Sequence, residues 1–368
     1  MSETPGLRLF RLPFALLLAL LLSSAAASAG QLRTYYIAAE EVSWNFAPVA
    51  EDLMMGMPLD HDQELYVKRT DDRLGSTYKL ARYIEYTDAS FTERKPRPAS
   101  EAYLGILGPL IHAEVGDTIH VVFKNKASHP FSMHPHGVFY AKASEGAMGD
   151  GGMDPGNVVQ PGGTFTYVWE VPERAGPGPN DPSSVVWPYH SHIDAIKDPE
   201  SGLVGAIIVT AKGQANPDGT PKGIDREFVA LFYIFNENES LYLDDNLATL
   251  PDHGAKINRE DEDFEESNLK HSINGYIFGN LPMPKMKIGE HVRWYLMGLG
   301  SESDLHTPHW HGNTVLAYGH RADVVSMLPA NTVVADMVPD DPGIWMFHCH
   351  VDDHIAAGMT GRYEVDPK

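Results

Sequence analysis

The chain has 368 residues, with 50 Asp plus Glu against 28 Lys plus Arg and a formal net charge of −22. That balance excludes nucleic acid and anionic membrane surfaces as partners, since both require a basic face. A lone cysteine excludes an internal disulfide and leaves one thiol as a ligand or a nucleophile.

Residues 1–29 carry Arg8 and Arg11, an apolar run to Leu22, and then Ala27-Ser28-Ala29. This is the layout of a signal peptide cleaved after Ala29. The apolar run falls short of the roughly 20 residues that span a bilayer, which argues against an anchor. Export to a periplasm or the medium is therefore expected, with no membrane partner. Period-two alternation then recurs. "DTIHVVFKN" places Ile119, Val121 and Phe123 on one face, and "TFTYVWEV" does the same with Phe165, Tyr167, Trp169 and Val171. "EHVRWYLMG" and "NTVVADMV" repeat the pattern, and 33 Gly and 27 Pro punctuate it. No long run has a helical period with caps. The expectation is an all-β chain of short antiparallel strands in a sandwich or barrel.

The plan is duplicated. "RTYYIAAEEVSWNFAP" opens one half and "REFVALFYIFNENESLYLDD" opens the other. Each half continues with a Gly-acid turn and a strand, a histidine cluster ending in His-Gly, a Pro-rich turn and a His-X-His. "AKGQANPDGTPKG" between them reads as a linker. The expected boundaries are domain 1 at residues 30–212, the linker at 213–222 and domain 2 at 223–368.

Most of the chemistry lies in 18 histidines. The first half holds His134-Pro135-His136-Gly137 and His190-Ser191-His192. The second holds His306, then His309-Trp310-His311-Gly312, then His348-Cys349-His350, His354 and Met359. Strand residues i and i+2 share a face, so each His-X-His presents two imidazoles to one side and X to the other. Neutral imidazoles suit copper, zinc, iron or nickel, but structural zinc typically gathers four ligands in one place. Two His, a Cys thiolate and a weak axial Met form a blue-copper ligand set, and His306, His354, Cys349 and Met359 supply it. The first half has Ser191, Phe131 and Ile196 at the corresponding positions, so no blue copper is expected there.

In order and spacing, these four motifs resemble those of the multicopper oxidases. "YLGILGPLIHAEVGDTIHVVFKN", "YHSHIDAIKDPESGLVGAIIV", "HSINGYIFGNLP" and "HCHVDDHIAAGM" are similar to the ceruloplasmin-like branch of that family, and two-domain laccase-like members share the layout. The resemblance implies two tandem cupredoxin-like, Greek-key β-sandwiches. It also implies four coppers per chain: type 1 at His306, Cys349, His354 and Met359, and type 2 at His134 and His309. The type 3 pair would lie at His136, His190, His192, His311, His348 and His350. It further implies oxidation of a small reductant by dioxygen, and a homotrimer with each histidine cluster shared between subunits. His348 and His350 flank Cys349 directly, so one bonded path joins the two kinds of site.

For the reductant, Glu266, His271 and Asp353 match the family positions that bind iron(II). Carboxylates with one imidazole suit that ion, although the same pattern also serves as a hydrogen-bonded strand entry. Met54, Met55 and Met57 offer thioethers suited to copper(I), with packing as the plainer role. A phenol needs only an open approach to the blue copper. Two other classes are a copper nitrite reductase and a non-catalytic copper-binding module. The first calls for its cysteine in domain 1, and the second for gaps among the cluster ligands.

Overall fold

A computed structural model describes residues 1–2, 30–149 and 154–367. The expected signal peptide lies outside the described residues. In the first half, a five-stranded sheet runs in the order Thr77–Tyr86, Leu32–Asn45, Thr118–Asn125, Thr164–Glu170 and Phe139–Tyr140. It faces a four-stranded sheet ordered Ile111–Glu114, Val204–Thr210, Ser184–His190 and His134–Pro135. The alternation in the sequence explains the faces. Ile119, Val121 and Phe123 are buried, while the intervening Thr118, His120 and Val122 are half-buried.

The second half repeats the plan. Its larger sheet is ordered Leu269–Ile273, Arg226–Asn236, Val292–Gly298, Thr332–Met337, Val315–Ala317 and His320–Ala322. Its smaller sheet is ordered Lys285–Lys287, Thr360–Asp366, Gly343–Cys349 and Pro308–Trp310. The parallel pairing of Leu32–Asn45 with Thr118–Asn125 recurs as Arg226–Asn236 with Val292–Gly298. The antiparallel register His134 to His190 recurs as His309 to His348.

One expectation is modified. Val292–Gly298 alternates in sequence, yet every residue in it is buried. The reason is that its second face meets the first half rather than water. The Tyr295 hydroxyl lies 2.6 Å from Ser184 Oγ, and Arg293 Nη1 donates to the same oxygen at 2.7 Å. Arg293 also grips Asp336 with both branches, at 2.6 and 2.7 Å, so its buried charge is paired. One apolar core runs through both halves, joining Phe46, Leu80, Ile106 and Val186 to Phe228, Phe232 and Phe235.

Helical turns of three to seven residues connect the strands. The turn His61–Val67 has a capping box, in which the Asp60 side chain accepts from Gln63 N and the Gln63 side chain accepts from Asp60 N. It belongs to the first half by sequence but packs against the second. Among the described residues, no helix is long and apolar enough to cross a membrane.

Candidate metal centres

Cys349 ends the strand Gly343–Cys349, in register with Pro308. The chain then turns through Asp352–Ala356 and returns His354 to the sulfur. Two backbone bonds close this loop, Cys349 N to Met359 O at 3.1 Å and Met359 N to His354 O at 2.8 Å. His306 enters from the opposite side, fixed by paired backbone bonds with Met327 at 3.1 and 2.8 Å. The Sγ atom lies 3.6 Å from His354 Nδ1 and 4.0 Å from His306 Nδ1, and the two nitrogens are 3.2 Å apart. Asp304 Oδ1 lies 3.2 Å from His306 Nε2, so the outer nitrogen is engaged and Nδ1 faces the sulfur. All three groups, and Met359 with them, are buried.

Burial alone would raise the Cys349 thiol. Bonds from His306, His354 and the backbone N–H groups of Thr307 and Val351 outweigh it and bring the thiol down to about 6. The pocket thus favours the thiolate, the form that binds a metal. Buried nitrogen, nitrogen and sulfur donors converging within 4.8 Å fit a soft metal such as copper.

The other histidines form two sets. In the first half, His136 Nε2 and His190 Nε2 are 3.1 Å apart, and the rings of His134 and His192 are centred 5.0 Å apart. In the second, His348 Nε2 lies 3.2 Å from His309 Nδ1 and 3.1 Å from His311 Nε2, with the His350 ring 5.4 Å from that of His309. The outer nitrogens are anchored alike in both halves, His190 Nδ1 at 2.9 Å from Ser191 O and His348 Nδ1 at 2.6 Å from Cys349 O. Burial, followed by neighbouring histidines, pushes His136 down to about 4 and His190 to about 3. His348 also falls to about 4 because burial outweighs its bond to Cys349. These rings are neutral at physiological pH, as metal ligands must be. Among the described residues, no ring contact joins the first-half set to the second.

The position equivalent to Cys349 shows what replaces a metal site. Ser191 Oγ accepts from Ser132 N at 3.0 Å, just as Cys349 Sγ accepts from Thr307 N at 3.3 Å. The serine hydroxyl then donates to Asp198 Oδ2 at 2.6 Å, and that carboxylate also takes the N–H of Ile193 at 2.9 Å. Phe131 is fully buried there, and Ile196 is 63% exposed, away from the serine.

Beside His354 lies a cavity of about 740 Å³, whose lining includes Tyr66, Ile196, Glu266, His271, Asp353 and His354. The His271 and His354 rings are centred 5.2 Å apart. His271 is 6% exposed, yet neither ring nitrogen has a hydrogen-bond partner. A buried unpaired group costs about 1–3 kcal/mol, so this imidazole is an unused nitrogen ligand in a cavity that carboxylates also line. Burial and then His354 hold it neutral, down to about 3. Glu266, His271 and Asp353 thus line one cavity, without converging as closely as the donors around Cys349. Tyr66 and Ile196 come from the first half and carry no sequence signal for this role, because only the fold brings them here. Met55 and Met57 are exposed, and Met54 lies against Gly279, so the three thioethers share no buried pocket.

Comparison with known proteins agrees with this geometry. Two family models, both described as multicopper oxidase, match residues 84–214 and 249–368. Human "Ferroxidase HEPHL1" is 44% identical over 91% of this chain, human hephaestin 41% over 91%, and human ceruloplasmin 44% over 90%. The chain spans only 29%, 29% and 30% of those three relatives. A solved multicopper oxidase superposes with a TM-score of 0.58 at 21% identity, covering 91% of this chain and 89% of that one. A blue copper oxidase from Nitrosomonas europaea gives 0.57 at 18%, covering 91% and 86%.

Proposed function

The chain belongs to the multicopper oxidase family, and from that premise we propose that it is an exported oxidase that takes electrons singly from iron(II) and delivers them to dioxygen. The overall reaction is 4 Fe²⁺ + O₂ + 4 H⁺ → 4 Fe³⁺ + 2 H₂O. The observation that carries the choice of iron is His271. It is a buried imidazole with both nitrogens unpaired, sharing a cavity with Glu266 and Asp353 and standing against His354.

His306, Cys349, His354 and Met359 would hold type 1 copper. His134 and His309 would hold type 2, and His136, His190, His192, His311, His348 and His350 the type 3 pair. When bound, copper supplies one-electron acceptance at the cysteine site and four-electron reduction of dioxygen at the histidine cluster. The chain's own residues arrange access. Glu266, His271 and Asp353 bind the divalent ion by charge and a nitrogen lone pair. The backbone of Cys349 links its sulfur covalently to His348 and His350. Among the described residues no ring contact joins the two histidine sets, which supports completion of each set by another copy. We read the assembly as a closed ring of three, with domains at residues 30–212 and 223–368 alternating around it.

The test compares iron(II), copper(I) and a simple phenol as reductants in the wild type and Glu266→Ala. Turnover of iron(II) should fall at least about tenfold, as expected for loss of a charged ligand, while phenol turnover holds. Equal loss on all three reductants, or no loss on iron(II), overturns the iron assignment.

A further inference from the structure

Tyr66 lies in the helical turn His61–Val67, yet its hydroxyl, ring and carbonyl each meet residues of the second half. Its hydroxyl donates a 2.6 Å hydrogen bond to Glu266 Oε1, across 200 residues of chain. Its ring stands edge-on to His271, with centroids 6.1 Å apart and planes at 78°. Its carbonyl accepts a 2.6 Å bond from the fully buried ammonium of Lys270, which also donates to Ser267 O at 2.5 Å. Just beyond, Arg69 Nη2 donates to Thr249 O at 2.9 Å and to Thr249 Oγ1 at 2.8 Å. The first half thus lays a tethered segment over the second half's cavity, and Tyr66 is held at both its backbone and its hydroxyl.

We propose that Tyr66 is a positioning residue that fixes Glu266 for cation capture and thereby sets the affinity of the cavity for iron(II). The proposal rests on the iron(II) reading above. Glu266 sits at the end of the short helix Glu262–Ser267, with a side chain long enough to swing into solvent. Immobilising such a side chain on binding weakens affinity, and a pre-formed bond removes that cost in advance. The donor is also the right kind. A neutral hydroxyl satisfies one carboxylate oxygen without adding a cation in direct contact with it, whereas a Lys or Arg donor would form an ion pair there. No hydrogen bond engages Glu266 Oε2 among the described residues, so that oxygen stays available as a ligand. The capping box at Asp60 and Gln63 ends the preceding loop where the tyrosine must be presented.

Tyr66→Phe in the copper-loaded protein tests this, because it keeps the ring and the carbonyl and removes only the hydroxyl. KM for iron(II) should rise about tenfold while kcat and phenol turnover change by less than about twofold. Cobalt(II), a divalent ion much harder to oxidise, should bind about tenfold more weakly by calorimetry. The blue absorption should be unaltered. Unchanged iron KM and cobalt affinity overturn the proposal, as does an equal loss on iron and phenol, which would mark a general packing role. Glu266→Gln separates the two levels. If it weakens iron use and Tyr66→Phe does not, only the tyrosine's role fails. If neither weakens it, the iron reading falls and the tyrosine's role with it.

Discussion

Cys349 and Ser191 occupy equivalent places and receive a backbone N–H from equivalent neighbours, Thr307 and Ser132. What separates them is the ring of groups beyond. Around the cysteine stand two imidazoles, 3.6 and 4.0 Å from the sulfur. Around the serine stand the Asp198 carboxylate and the buried ring of Phe131. A thiol alone therefore does not make the site. Ser191→Cys should give no blue absorption in the first half, read in a Cys349→Ser background after copper loading. Cys349→Ser by itself should abolish the blue band and iron turnover together. A blue band in the double variant would mean that Phe131 and Asp198 do not block the position. The contrast was readable in the sequence as three coordinated losses at Ser191, Phe131 and Ile196. The role of Asp198 was not, because the carboxylate reaches the serine only through the turn that follows it.

Strands set the distances within each histidine set, and glycine lets two of them approach. Gly137 and Gly312 end the two His-X-His-Gly motifs, each at φ +73°. A Cβ on either would collide with an indole, Trp187 in the first half and Trp345 in the second. The aromatic residue three positions before each paired His-X-His thus has a packing partner in the opposing motif. Gly312→Ala combines left-handed backbone strain of about 1–2 kcal/mol with overpacking of about 1–3 kcal/mol. It should lower Tm by several degrees and reduce copper retained at the cluster, measured by calorimetry and metal analysis. Full stability with normal copper content would show that Trp345 yields freely. At this scale the period-two strands and the duplication were plain in the sequence. The short turn His61–Val67 was not, since seven residues cannot display a helical period and its partners lie in the other half.

For the whole molecule, an apolar core spans the two halves, but among the described residues their histidine sets make no ring contact with each other. A set of four imidazoles is half of what the proposed cluster needs, and the proposed ring would supply the other half from a neighbouring copy. Subunit mixing tests this directly. His134→Ala and His309→Ala chains should each be nearly inactive alone. Dissociated and reassembled together, they should regain a sizeable fraction of activity, because some interfaces then pair an intact first half with an intact second half. Failure to complement, alongside an active monomer in sedimentation, would place the cluster within a single chain.

The sequence by itself determined the strand pattern, the duplication, the candidate histidine, cysteine and methionine donors, and which half lacks the cysteine among them. These are legible because strand periodicity and ligand spacing are local properties of the chain. Only the tertiary structure decided that Val292–Gly298 is buried on both faces and that Asp198 takes the serine hydroxyl. It also decided that Tyr66 crosses 200 residues to hold Glu266. Each depends on which surfaces meet when two sandwiches pack together, and no spacing along one chain encodes such a meeting.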